Sequence, residues 1–114
     1  MTIDFIEKIR NICIKNINTI KEKTIFSIVL NSKDINGGLN FEERIAYYRV
    51  SDKGWVCKEV TEKTIQPAWG STITTEHDIN EYAIEDAILL DVLNNNICAE
   101  KEFELFVNNL NIDN

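Results

Sequence analysis

The sequence predicts a single α+β domain over residues 1–114, because helical and strand-like apolar patterns alternate along the chain. A helical pattern comes first, β-type runs fill the middle, and helical patterns return after residue 75. We expect a three- to four-stranded antiparallel meander packed with two or three helices, in the order α-β-β-β-(β)-α-α. The first helix and the long later helix should cover one face of the sheet.

The N-terminal pattern over residues 2–23 predicts an amphipathic helix. Thr2 can cap its first turn and Asp4 suits the positive end of the helix dipole. The apolar residues that share one helical face are Phe5, Ile6, Ile9, Ile12, Cys13, Ile17 and Ile20.

Residues 43–61 give the clearest local signal, a β-hairpin around Ser51-Asp52-Lys53-Gly54. A type I turn with a bulge at Gly54 would pair Ser51 with Trp55. The predicted core face then carries Ala46, Tyr48, Val50, Val56, Val60 and the stem of Lys58. The predicted outer face carries Ile45, Tyr47, Arg49, Trp55, Cys57 and Glu59. A one-residue slip of the turn would exchange these roles.

The flanking segments predict the rest of the sheet. The apolar run 24–30 reads as a buried strand, and residues 31–40 read as a loop around Asn-Gly-Gly. Residues 62–65 could prolong the third strand, and residues 71–74 could form a short fourth. Between them, Pro67 and Gly70 predict a turn that carries Trp69, which either packs on the core or stands exposed as a binding residue.

Residues 75–94 carry the longest helical pattern, and residues 99–110 predict a short closing helix. On the long helix Asp78, Glu81 and Glu85 would share one stripe. Asp86 would project onto the apolar stripe, where an unpaired carboxylate is costly. It should therefore lie at the edge of that stripe or bond a tyrosine hydroxyl, Arg44 or Arg49; a catalytic role is the minority alternative.

Charge is divided unevenly along the chain. The net charge is −7, with +2 on residues 1–57 and −9 on residues 58–114. Direct binding to nucleic acid or to an anionic membrane is not expected, since both depend on Lys and Arg meeting phosphate. An acidic half instead favours a basic protein partner.

No residue pattern predicts catalysis, a metal site or a cofactor. Cys13, Cys57 and Cys98 are widely spaced and odd in number, which is typical of reduced thiols in a cytosolic protein. His77 and Glu81 stand four residues apart, but two ligands are too few for a metal. The N-terminal sequence is not that of a signal peptide, and no segment is long and apolar enough for a membrane span.

The sequence therefore favours a cytoplasmic, non-enzymatic protein that binds and inhibits a basic partner. Such a partner could be a nuclease or another nucleic-acid-acting enzyme, as for a bacterial or phage immunity protein, antitoxin or inhibitor. The predicted partner-binding acids are Asp78, Glu81, Glu85, Glu100, Glu102 and Glu104. The predicted anchors are Tyr47, Trp55 and Trp69.

Two alternatives remain open at this point. One is a small-molecule-binding or enzymatic domain with a site near Asp86, Arg49 and His77. The other is a homo-oligomeric structural or phage protein, a homodimer for example, whose outer hairpin face forms the subunit interface.

Overall fold

A computed structural model describes residues 1–21, 23–35, 40–65 and 74–110 as an α+β fold built on a four-stranded antiparallel sheet. The strands follow one another in the meander order β1-β2-β3-β4. The elements are α1 (Ile3–Lys15), α2 (Ile17–Ile20), β1 (Thr24–Ile35), β2 (Asn40–Ser51), β3 (Gly54–Ile65), β4 (Thr74–Ala83), α3 (Asp86–Asn94) and α4 (Ile97–Asn109). The predicted fold class and the order α-β-β-β-β-α-α are confirmed.

The first helix has the predicted cap and the predicted buried face, but it is interrupted. The Thr2 hydroxyl accepts the backbone N–H of Phe5 at 3.2 Å. Ile6, Ile9 and Cys13 are fully buried, as the periodicity requires. α1 ends at Lys15, however, and the single turn α2 ends where Lys21 takes a left-handed conformation with φ 53°.

The sheet is longer than the helical layer that covers it. α1 packs on β2 and β3, α4 packs on β1, and α3 packs on α1 and α4. A twelve-residue strand spans about 40 Å, whereas a thirteen-residue helix spans about 20 Å. The helices therefore cover one end of the sheet, and the molecule measures 61 × 28 × 22 Å. β1 continues to Ile35, so the loop predicted from residue 31 begins later; residues 36–39 lie outside the described ranges.

The β2–β3 hairpin forms where predicted, with a register shifted by one residue. Ser51 lies opposite Gly54, which leaves a two-residue loop, Asp52-Lys53, and no bulge. The loop is held locally, because the Ser51 hydroxyl donates to the Gly54 carbonyl at 3.2 Å and accepts the Lys53 N–H at 3.1 Å.

This register corrects the assignment of faces on one strand. Ala46, Tyr48 and Val50 of β2 face the helices, as predicted. On β3 the assignment was wrong: the inward residues are Trp55, Cys57 and Glu59, and the outward residues are Val56, Lys58 and Val60. A missing bulge residue moves every side chain of a strand to the opposite face.

The long helix predicted over residues 75–94 is wrong in its first half. β4 occupies Thr74–Ala83, and only Asp86–Asn94 is helical. Residues 71–73 lie outside the described ranges, so of the short fourth strand predicted there only Thr74 is placed, as the first residue of β4. Pairing with β3 decides this segment, because each residue from Thr74 to Ala83 has a partner there.

Aromatic side chains join the two layers. Phe26 stacks on Tyr48 with ring centroids 4.6 Å apart. Phe103 of α4 meets Phe26 and Trp55 edge-on, at 6.3 and 6.1 Å. Such pairs add roughly 0.5–1.5 kcal/mol each beyond the area that they bury. The closing helix thus fixes the sheet end that holds the hairpin turn.

Gly54→Ala should lower the free energy of unfolding by about 1–3 kcal/mol, because Gly54 has φ +120°, a conformation that L residues rarely adopt. A Cβ there would meet Arg10 Cδ at 3.6 Å, an ordinary contact, so the cost comes from the backbone. Urea denaturation measures it, with Lys53→Ala in the adjacent loop position as a control expected within about 0.5 kcal/mol of wild type. Equal stability of the two variants would contradict this account of the turn.

Candidate partner-binding surfaces

The six acids predicted to form one binding surface lie in two groups at opposite edges of the sheet. Asp78 and Glu81 belong to β4, and Glu85 precedes α3 at the end of that strand. The other three, Glu100, Glu102 and Glu104, lie on α4, which packs on β1. β1 and β4 are the two outer strands of the sheet. No single acidic face therefore unites the predicted set.

The two edge strands of the sheet, β1 and β4, differ in how far other described elements cover them. At the β1 edge, Glu102 accepts the backbone N–H of Ser27 at 3.4 Å, a long contact that places a carboxylate against the strand. Charged side chains and covering helices are common ways of protecting an edge from pairing with another chain. The β1 edge is therefore partly occupied by the protein's own α4.

The part of the chain that the structure describes leaves the β4 edge open by comparison. Among the described elements, β4 makes extensive contact only with β3. Every β4 side chain whose exposure the structure describes, residue 75 and residues 77–83, is exposed. The strand contains neither Lys nor Pro, the residues that most often block an edge. Asp78 lies opposite Thr61 on the helix side, and Glu81 lies opposite Lys58 on the other side, so acids flank the edge from both faces.

The three predicted aromatic anchors do not lie together on one described surface. Tyr47 lies half-buried on the sheet face away from the helices. The prediction that Trp55 is an anchor on the surface is wrong, because this residue is 2% exposed and belongs to the core. Trp69 lies outside the described residues.

The alternative site at Asp86, Arg49 and His77 is not assembled. Arg49 pairs with Glu81 at 2.8 Å, on the side of the sheet away from the helices. His77 Nδ1 lies 3.4 Å from a Glu62 carboxylate oxygen, further along the same side. Asp86 lies on the helix side, where it contacts Arg10 and Trp55.

Asp86 joins three elements of the core. Its Oδ1 accepts the Trp55 indole N–H at 2.8 Å and lies 2.9 Å from Arg10 Nε. The partners are thus not the tyrosine hydroxyl, Arg44 or Arg49 that one of the two predicted alternatives named, and the first residue of α3 is tied to α1 and β3 instead. This carboxylate satisfies a buried indole, which is a structural role.

A polar cavity of about 610 Å³ opens on the helix side of the sheet, beyond the ends of the helices. Arg44 and Glu59 pair across its floor at 2.8 Å. The rest of the lining mixes both charge signs with amides and a hydroxyl: Asn31, Glu42, Thr61, Lys63, Asp78 and Asn80. His77, although its position in the strand alternation is on the other face, also borders the cavity from the edge strand β4. Sequence reasoning missed this cavity, because it depends on strands that extend past the helical layer.

A row of two phenols and one thiol lies on the helix side of the sheet, beside Glu59 and Asn80 of the cavity lining and nearer the Ser51–Gly54 turn. Tyr48, Cys57 and Tyr82 are neighbours across β2, β3 and β4. Burial, followed by the neighbouring Cys57, raises the pKa of Tyr48 well above its ordinary value. The hydrogen bond with Cys57, followed by burial, raises the pKa of Tyr82 to about 12. Both phenols are therefore protonated at neutral pH and can donate hydrogen bonds.

The thiols show no arrangement for metal binding. Cys13 and Cys57 are buried and Cys98 is exposed, all three free. Burial raises the pKa of the Cys13 thiol to about 11. Within the described ranges, no group of three His, Cys, Asp or Glu side chains could hold a metal ion.

The sheet face away from the helices, here called the outer face, carries an apolar row that crosses all four strands. Val29, Ile45, Val60 and Ile79 lie side by side in the register. The two end members, on the edge strands, are 59% and 57% exposed. Antiparallel sheets commonly have one solvated face, which is normally polar. The apolar row is therefore a candidate binding surface.

Comparison with known proteins finds no relative: no family model, no curated protein and no solved structure matches this chain. Among the described residues, no helix has the length and apolar character that crossing a membrane requires.

Asp86→Ala should lower the free energy of unfolding by about 2–3 kcal/mol, because it leaves the Trp55 indole N–H without its acceptor and Arg10 without its carboxylate. Asp86→Asn keeps an acceptor for the indole and should cost less. Urea denaturation of both variants, beside Asp91→Ala on the exposed side of α3, measures the difference. If all three variants were equally stable, Asp86 would not join the elements as described.

Stability should fall as pH rises from about 9 towards 11. The folded protein holds the Cys13 proton to about pH 11, whereas the free thiol loses it near pH 9.0. The unfolded chain therefore binds fewer protons in this range, so rising pH favours unfolding. Cys13→Ala should show a shallower decline between pH 9 and 11 than wild type, while Cys98→Ala should keep the wild-type slope. Denaturant titrations across the pH series test this, and identical slopes for both variants would contradict it.

Proposed function

We propose that this chain is a cytoplasmic, non-catalytic protein that captures a basic protein partner by pairing a strand of that partner with β4. The observation that carries the proposal is the exposed β4 edge, which has no covering element among the described residues while the opposite edge is guarded by Glu102. A partner of this kind could be a nucleic-acid-acting enzyme, whose binding surface is basic. The protein would then serve as its inhibitor, immunity protein or antitoxin.

Strand addition suits the geometry of this edge. A ten-residue edge strand offers alternating backbone N–H and C=O groups that an incoming strand can pair with. The backbone bonds supply affinity and the flanking side chains supply selectivity. Here the flanking side chains include Asp78 on one face and Glu81 on the other.

Charge supports a basic partner over a neutral one. An excess of acids lies from residue 58 onward, and four of them, Glu76, Asp78, Glu81 and Glu85, lie on β4 or at its end. A strand with Lys or Arg on both faces would find an opposite charge on each side of the edge. Such complementarity raises the association rate more than the lifetime of the complex.

Catalysis has less support than binding. The three residues that sequence reasoning placed in a possible site, Asp86, Arg49 and His77, each pair with a different group in a different part of the fold. Asp86, the most unusual acid in the sequence pattern, accepts a hydrogen bond from the buried indole of Trp55.

The β4 edge can be tested with one charge reversal and one matched control. A tagged wild-type chain first isolates its partner from host lysate for identification by mass spectrometry. Association of the purified partner is then measured with Asp78→Lys and with Glu104→Lys. The first reverses an exposed acid on β4, and the second reverses an exposed acid on α4 at the other side of the sheet. Asp78→Lys should slow association by about tenfold and flatten its salt dependence, while Glu104→Lys should stay within about twofold of wild type.

Hydrogen exchange gives an independent readout of the same proposal. Amide protons at the free edge of β4 should gain protection on binding, because the partner strand accepts them. Equal effects of the two reversals, or unchanged exchange in β4, would contradict strand addition.

The polar cavity supports a second candidate, the binding of a small polar molecule. Its volume of about 610 Å³ lies within the roughly 300–1,000 Å³ of ordinary ligand sites, and Arg44 supplies a cation for an anionic group. A thermal-shift screen of anionic metabolites would detect such a ligand, and Arg44→Gln should abolish the shift that it causes.

A further inference from the structure

We propose that the outer face binds a second copy of this chain, so that two sheets pack face to face about a two-fold axis that runs along the apolar row. The row consists of Val29, Ile45, Val60 and Ile79, and no described element covers it. The proposal concerns a different surface from the β4 edge and does not depend on the proposed function.

Strand propensity alone does not account for the apolar row. β-Branched residues favour strands, but Thr satisfies that preference on a solvated face without exposing apolar surface. Here every strand contributes a Val or an Ile to the same level of the sheet. Tyr47 and Val56 lie on the same face, one and two levels nearer the hairpin turn. The apolar surface is therefore continuous across the sheet.

Charge across the row selects a second copy as the occupant. On the side of the row towards the Ser51–Gly54 turn, Lys58 and Glu81 lie opposite each other on β3 and β4. On the other side, Glu62 and His77 lie opposite each other on the same two strands. Rotation by 180° about the row places Lys58 over Glu62 of the partner subunit. The two-fold axis repeats this Lys58–Glu62 contact, so each face complements its own copy, and Glu81 lies over the imidazole of His77 of the partner subunit.

The other face-to-face arrangement is disfavoured by the same register. A two-fold axis parallel to the strands would exchange β2 with β3 at each level. It would then place Glu43 over Glu62 of the partner subunit, since these residues are register partners. Like charges facing each other across an interface disfavour association. The register therefore favours the axis along the row.

The outer face is large enough for such a contact. Four strands about 4.8 Å apart and about nine residues long give a face of roughly 20 × 30 Å. Each copy would bury about 600 Å², or roughly 1,200 Å² in total, which lies at the lower end of specific interfaces. The dimer should therefore dissociate on dilution, so its equilibrium can be measured.

Charge exchange on β3 tests both the dimer and its axis. Lys58→Glu places two carboxylates over each other at each of two symmetric contacts, and Glu62→Lys places two ammonium groups there. Each single variant should weaken dimerisation by about tenfold or more. The double variant Lys58→Glu/Glu62→Lys restores opposite charges and should recover an affinity near that of wild type. Within one chain these residues stand about 13 Å apart, so recovery reports a contact between copies.

Sedimentation equilibrium over micromolar to millimolar concentrations measures the dissociation constants. Lys101→Glu on the exposed side of α4 makes the same charge change as Lys58→Glu away from the outer face, and it should leave the constant within about twofold of wild type. Circular dichroism confirms that each variant is folded. A wild-type chain that stays monomeric throughout would overturn the proposal. So would single variants that dimerise like wild type, or a double variant no better than the sum of the singles.

Discussion

The two-residue turn at Ser51–Gly54 is the constraint on which the rest of the structure depends. Because Ser51 lies opposite Gly54 with no bulge, Trp55 and Cys57 point towards the helices. Trp55 can then meet Phe103 and donate its indole N–H to Asp86, which joins β3 to α4 and α3. The same alternation turns Val56, Lys58 and Val60 outward. One residue in the loop therefore decides the composition of both faces of the sheet.

The features that depend on residues close together in the chain were predicted correctly from the sequence. The face of α1 and its Thr2 cap, the hairpin strands and the closing helix all follow from residues close together in the chain. Local patterns failed for β4, whose sequence is TTEHDINEYA. Its sparse apolar residues, Ile79 and Ala83, stand four apart, and this spacing fits a helix as well as a strand. Its partner is the distant β3, and a non-local pairing overrides a weak helical period. The register error has a similar origin, since turns with and without a bulge read alike in sequence.

The candidate surfaces were less predictable than the fold, because the sequence shows which residues are acidic but not which neighbours they have. Asp78 and Glu81 were expected on one helical stripe, and the strand places them on opposite faces. Asp86 was the most unusual acid in the pattern, and it proves to satisfy a buried tryptophan. The row Tyr48, Cys57 and Tyr82 joins three strands, and no spacing within one segment could have indicated it.

The two proposed surfaces are geometrically compatible. A two-fold axis along the apolar row keeps each strand over its own copy, so β4 would lie over β4 of the partner subunit. Packed sheets are separated by about 10 Å, and the two open edges would therefore lie side by side on the same flank of the dimer. Glu81 connects the surfaces, because it belongs to the edge strand while Arg49 holds it at 2.8 Å on the outer face. Dimerisation would add a second acidic edge beside the first, so a basic partner would meet the charge of both copies.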